Sequence, residues 1–571
     1  MNRNEWFQRY YGDYIDLLEW EKVRTNIKYM SLPEVTLSAF TETGQTESSI
    51  PIPKQRSYTG RKPIMPSSLA NTRCTDLGVE GVLEMLNTTL GTSYTLENLS
   101  LSSLIDAYIT QDYDLGTAYA HLRPVWYGSI IEDELRTLKA RDQGMRQDVL
   151  VKNRIIDCRV PPRRIWDLYS NRVVPWWVAR QWPQPISHAW MEREDRVEVL
   201  TPINGYNWPV PIPKDTNLNL IRIEMLNLGA EYVWLDVLCL RQAGGQREDL
   251  RMEEWKLDVP TIGFLYQRAS QVVCYFSGLG RPFSLKADDF ESDRCWFRRA
   301  WTLQEISNNM ITGGDTGNDG TMEEMIRVKF EKQLSLLQFV KSRFAANLFH
   351  MLSVMQERVS TNTLDKVAGL TYTLLSREVP AYYEMQSLED AWTMLVNDMR
   401  EWFRSDLLFL FPKPGNGNKG WRPSWRQVMT EVLPLYYTRG YFGIGRTEET
   451  DADWHWGPCF ESGYVQGLAR ELQEGKRRQG ELVIEDKTGA KHAFKIIADH
   501  QYPIPEGSYT LLGSPPLDGL TGWVREQYWL VGQRLPEQKL KKVSVFQIHG
   551  RKEVKRLHDL GIAAKVKTFL A

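Results

Sequence analysis

The chain has 571 residues, 42% of them hydrophobic and 25% charged, with a net charge of −2. That length exceeds one ordinary core and predicts about two to four domains, and the composition excludes a disordered or fibrous chain. The near-neutral balance gives no support to a nucleic-acid or polyanion partner, since the basic runs "GKRRQG" and "KLKK" are short and read as solvated surface.

The opening residues, "MNRNEWFQRYYGDYIDLLEW", hold no apolar core of signal-peptide length. No later run approaches the ~20 apolar residues of a membrane span. A cytoplasmic chain without a membrane span is expected. Residues 1–30 read as an amphipathic helix with an aromatic face. Residues 31–75, rich in Ser, Thr and Pro, read as a linker, and 76–150 turn helical and acidic, so that 1–150 form a helical N-terminal region.

The texture changes near residue 155, where "RIIDCRVPPRRIWDLYSNRVVP" gives short apolar runs broken by prolines. The runs "QPISHAW", "EYVWLDVLCL" and "SQVVCYF" read as strands, and "RIEMLNLGA" and "MEEWKLDVPTIGFLYQRA" as helices between them. Alternation in this order predicts an α/β domain over 155–320 with an open parallel sheet and helices on both faces. The stretch "RCWFRRAWTLQEIS" (Arg294–Ser307) reads as one more helix. Residues 321–430 read as a helical extension and 431–571 as a β-rich region, with a hairpin at "ELVIEDKTGAKHAFKIIAD".

Six cysteines, Cys74, Cys158, Cys239, Cys274, Cys295 and Cys459, include no C-x-x-C pair and no partner histidines at zinc spacing, so no metal site is expected. Phosphate-loop, G-x-S-x-G, H-E-x-x-H and strand-linked G-x-G-x-x-G motifs are absent. Three polar clusters remain where strands end: Ser187, His188 and Trp190; Asp236 within an apolar strand, with Gln242 at its exit; and Arg298, Trp301 and Glu305, which share one face if the run is helical. Ligands of open parallel sheets bind at the carboxyl ends of strands, where these clusters can meet. Each also has a structural reading. Ser187 and His188 can cap a turn, Asp236 can hold backbone amides or an arginine, and the Arg–Trp–Glu stripe can be a surface ion pair laid over a ring.

"ISHAW", "YVWLDVLCLRQ" and "CWFRRAWTLQE", in that order, resemble the three signature blocks of the fungal heterokaryon-incompatibility (HET) domain. "IGFLYQRASQVV" between them, and "LDKVAGLTYTLL" and "WRPSW" beyond, are similar to segments of the same family. The chain departs from the family pattern at Met191, where Gly is usual, and at Leu240-Arg241-Gln242, where Ile-Asp-Gln is common. Through that family "ISHAWMERED" and the Trp-and-Glu run look like blocks of Toll/interleukin-1 receptor (TIR) domains.

The resemblance implies a TIR-like sheet, a role in nonself recognition and regulated cell death, and Glu305 as the residue that cleaves the nicotinamide–ribose bond. NAD or NADP would be substrate rather than cofactor. The cleaved bond carries a cationic leaving group, so a carboxylate need only stabilise an oxocarbenium-like ribosyl centre. Trp190 or Trp301 would offer a ring surface, Ser187 or His188 a polar contact, and Arg298 would keep Glu305 ionised. Asp236 would line the same pocket. Implied partners are the dinucleotide, an activating protein and further copies of the chain. The alternative is a TIR-like scaffold that signals by self-association without turnover.

Overall fold

A computed structural model describes residues 1–11, 29–97, 99–127, 131–317, 323–341, 347–374, 378–434, 443–470, 477–518 and 522–571. It forms two compact units. The first comprises Met1–Phe339, Val359–Tyr372 and Glu378–Glu384; the second comprises Val340–Arg358, Thr373–Arg377 and Met385–Ala571.

At the centre of the first unit lies a sheet of six strands: β1 (Arg164–Asp167), β2 (Arg172–Pro175), β3 (Gln184–His188), β4 (Tyr232–Trp234), β5 (Val272–Tyr275) and β6 (Met310–Thr312). Their spatial order is β6-β5-β3-β4-β1-β2. The pairs β6–β5, β5–β3 and β3–β4 are parallel, whereas β4–β1 and β1–β2 are antiparallel. The sheet is therefore mixed, not wholly parallel as expected. Only Leu168–Asn171 joins β1 to β2, with Asn171 in the left-handed region at φ 55°, and so short a link can make a hairpin but not a crossover.

Two further expectations are corrected here. The apolar run from Glu231 is strand only to Trp234; Asp236–Cys239 is a helical turn, so Asp236 stands just past the strand rather than inside it. Nor is the "RCWFRRAWTLQEIS" run one helix. It comprises a 3₁₀ turn at Trp296–Arg298, an extended Arg299, and a short helix Thr302–Glu305. Arg299 is extended because its neighbourhood pairs with a distant strand segment. Ala300 N–H donates to the Val359 carbonyl (2.9 Å) and Val359 N–H to that of Arg298 (2.6 Å).

The N-terminal region belongs to this same unit. Helices Arg3–Tyr11, Cys74–Leu90, Leu99–Thr110, Leu115–Leu122 and Ile131–Val149 are present, while residues 12–28 of the expected first helix lie outside the described residues. The stretch 31–75 packs rather than hanging as a linker. Val35–Ser38 pairs with Ser57–Gly60, and Leu37, Ala39, Ile52 and Met65 are buried. Buried arginines tie these segments to the sheet. Arg123 pairs with Asp167 (2.9 Å) and donates to Tyr232 Oη (2.7 Å), while Arg172 pairs with Asp114 (2.9 Å).

The second unit carries helices Leu348–Gln356, Leu388–Asp398, Glu401–Phe409 and Trp425–Thr430, followed by a predominantly antiparallel eight-stranded sheet between Ile444 and Leu570. The hairpin expected at 481–499 is there, pairing Arg478–Glu485 with Lys491–Ala498. Leu482, Phe494, Trp529 and Phe546 lie in its core. Among the described residues no helix is long and apolar enough to cross a membrane.

Candidate functional site

Ser187 and His188 end β3, level with Cys274 and Tyr275 of the parallel neighbour β5. Successive strand residues leave on opposite faces, so the two side chains enter different networks. The buried Ser187 Oγ accepts a hydrogen bond from Trp296 Nε1 (2.7 Å) and donates one to Glu305 Oε2 (2.5 Å). The Cys274 thiol lies against the same hydroxyl, and burial, then the charge of Glu305, push its pKa far above the ordinary thiol value. That cysteine is a small hydrophobe here, not a nucleophile.

On the other side, His188 Nε2 meets Asp236 Oδ1 at 2.8 Å, and Trp190 Nε1 donates to Asp236 Oδ2 at 2.8 Å. The Val237 amide adds a third bond to the carboxylate (2.7 Å). The His188 and Trp190 rings stack at 6.3 Å and 17°, and the Arg196 guanidinium lies 5.2 Å from the Trp190 ring centre. Burial opposes a charge on His188, but the Asp236 carboxylate, Glu305 and a bond to the Ala189 backbone outweigh it and raise its pKa. Burial likewise disfavours the Asp236 anion, yet His188, Trp190 and the Val237 amide hold its pKa below the usual value. The raised His188 and the lowered Asp236 both favour their charged forms, so the contact favours an imidazolium–carboxylate pair.

Glu305 is half-buried at the end of its short helix. The Tyr266 hydroxyl, which donates to the Ile186 carbonyl (2.8 Å), is pushed far up by burial and then by the charges of Glu305 and Asp236. Both His188 and Arg299 feel the charge of Glu305. Burial lowers the pKa of Arg299, countered by Asp365, Glu192 and Glu305. Arg298, expected beside Glu305, instead pairs with Asp293 (3.3 Å) and donates to the Glu291 carbonyl. Trp301 turns its indole to the Asp365 carboxyl and its ring toward Tyr382, 6.5 Å between centres. Gln242 caps the turn that bears Asp236, donating to the Leu240 carbonyl (2.9 Å).

Of the residues singled out in the sequence, Ser187 and Glu305 touch, and His188, Trp190 and Asp236 form one hydrogen-bonded group within the field of Glu305. Arg298 and Trp301 face other partners. Sequence reading missed Trp296, Arg299 and Asp365, although all three lie inside the stretches "CWFRRAW" and "LDKVAGL". Among the described residues no group of three or more His, Cys, Asp or Glu could hold a metal. A cavity of about 310 Å³ lies in the same unit, under the hairpin Arg196–Val199/Val210–Pro213, lined by Asn171, Asn217 and Leu218 among others; none of the residues singled out in the sequence lines it.

The chemistry open to this arrangement is electrostatic. One oxygen of Glu305 is oriented by a serine that is itself fixed by a buried indole, which gives the carboxylate a defined direction before any ligand arrives. Comparison with known proteins returns nothing: no family model, no curated protein and no solved structure matches the chain.

Proposed function

We propose that the chain is a HET-type, TIR-like glycohydrolase in which Glu305 stabilises the ribosyl cation formed as nicotinamide leaves NAD or NADP. The observation that carries this reading is the Ser187–Glu305 hydrogen bond, which joins two resembling blocks 118 residues apart at the carboxyl end of β3. A preoriented carboxylate at the rim of parallel strands suits a reaction whose leaving group needs no acid and whose transition state is positive. The fixed His188–Asp236 pair anchors the corner, and Trp190 offers its ring beside it. Nonself-triggered cell death, an activating protein and assembly through the sheet-bearing unit complete the proposal.

The test follows nicotinamide release from NAD and from NADP by the full chain, both dilute and at concentrations that favour self-association. Glu305→Gln is expected to lower the rate by about 10²–10³-fold, the scale on which one oriented electrostatic group acts. Equal rates from both proteins overturn the assignment.

The scaffold reading draws on one observation: His188, Trp190 and Asp236 are bonded chiefly to one another. It predicts that Glu305→Gln leaves cell-death signalling intact while charge reversal at Arg298 abolishes assembly.

A further inference from the structure

The helical turn that bears Glu305 is held from a distance by a segment that sequence reading assigned to the helical extension. Val359 lies opposite Arg299, held by backbone hydrogen bonds to Arg298 and Ala300 on either side of it, and helix Leu364–Thr371 packs beside the turn. Asp365, on that helix, receives the Trp301 indole N–H and the Tyr382 hydroxyl (2.9 Å); Asn362 in turn donates to Tyr382 Oη (3.3 Å). Arg299 is half-buried and feels both Asp365 and Glu305.

We propose that Asp365 is a positioning residue for Glu305: it fixes the turn through Trp301 and draws the Arg299 guanidinium away from the Glu305 carboxylate. The role rests on the glycohydrolase reading. A carboxylate that stabilises a developing cation must not be neutralised beforehand by its own arginine, and one guanidinium shared between two carboxylates is divided according to their charges. With Asp365 ionised, Arg299 has an anion that competes with Glu305 for it. With Asp365 neutral, that competition ends and Arg299 turns to Glu305.

Tyr382, Trp301, Arg299 and Glu384 face Asp365, and Glu384 is itself paired with Arg251 (3.1 Å). Glu192, Arg196, Asp365 and Glu305 face Arg299. Burial is the largest influence on Asp365 and pushes its pKa up to about 6, against the bonds from Tyr382 and Trp301 and the charge of Arg299. The competition therefore fades as pH falls through about 6, and hydrolysis acquires an acid limb there.

The experiment compares pH–rate profiles of the full chain, Asp365→Asn and Asp365→Glu. It also follows the indole N–H resonance of Trp301, assigned with Trp301→Phe, across the same pH range. Expected are a loss of about tenfold or more in kcat for Asp365→Asn with little change in KM, disappearance of the acid limb, and recovery in Asp365→Glu. The Trp301 resonance should titrate near pH 6 in the wild-type chain and not in Asp365→Asn. If the wild-type chain turns over and Asp365→Asn matches it at every pH, the positioning role is overturned. If the wild-type chain hydrolyses nothing, dilute or at concentrations that favour self-association, while the resonance titrates, the glycohydrolase reading fails and the Asp365–Trp301 contact stands. A resonance that does not titrate removes the contact itself.

Discussion

Ser187 and His188 are adjacent in one strand yet serve two different carboxylates, and the difference decides how each responds to substitution. His188 keeps 5% of its side chain exposed and Asp236 25%, so the pair is shielded but not sealed. In Asp236→Asn the imidazolium loses its counter-charge while staying buried. The expected cost is about 2–3 kcal/mol in urea unfolding, below the roughly 3–5 kcal/mol of a fully buried pair because Asp236 reaches solvent. The sign with pH is fixed by both partners. His188 is raised, so its share is complete below the ordinary histidine value and is lost as pH rises through the folded pKa. Asp236 is lowered, so its share is complete above the ordinary carboxylate value and is lost as pH falls through the folded pKa. The stabilisation is thus greatest in mildly acidic solution, and Asp236→Asn should flatten that maximum. A stability–pH curve unchanged in shape would show that the pair is not ionic.

At the scale of elements, the turn carrying Glu305 is four residues long, too short to hold its own shape, and its neighbours set its position. Gly263, in helix Ile262–Arg268, is one of them. A Cβ there would lie 2.5 Å from Tyr372 Cβ and 2.9 Å from Gln304 Oε1, so glycine allows three segments to meet. Gly263→Ala should cost about 1–3 kcal/mol through overpacking, measured as a lower denaturation midpoint, with nicotinamide release falling alongside because Gln304 adjoins Glu305. A variant with unchanged stability would mean that the three segments yield freely. The same turn explains which part of the site could be read in advance. Ser187 and Asp236 stand out as polar residues where strands end, a position that strand–helix alternation supplies, whereas Glu305 stands out through the resemblance to the HET and TIR blocks. Arg298 was preferred over Arg299 because helical spacing put it on the face of Glu305. The extended conformation of Arg299 comes from Val359, 60 residues further on, and no local pattern encodes such a contact. Likewise the strand at Tyr232 was read too long, since an apolar run does not reveal that Asp236 begins a helical turn.

At the scale of the whole chain, residues 31–75 read in the sequence as a loose linker between the helix 1–30 and the helical stretch 76–150, whereas their side chains are built into the first unit. The reason is that isolated apolar residues among Ser, Thr and Pro carry no period, although Leu37, Ala39, Ile52 and Met65 each find a buried place. Arg222 shows how firmly the join is made. It is fully buried, pairs with Glu42 at 3.2 Å, and donates to the carbonyls of Met65 (2.7 Å) and Leu168 (2.7 Å). Burial pulls its pKa down to about 10 against the opposing pull of Glu42, so the guanidinium remains charged at neutral pH. Arg222→Met keeps the bulk of the side chain but strands Glu42 and several carbonyls, and should cost about 3–5 kcal/mol. Adding Glu42→Gln should recover part of that loss, because the second change removes the uncompensated charge. A coupling of about 1–3 kcal/mol in the double-mutant cycle is the signature of direct interaction. Limited proteolysis of Arg222→Met should then release the segment before Ser67 ahead of the sheet. Strict additivity, with cleavage no faster than in wild type, would show that this segment is held by packing alone and that the arginine merely fills space.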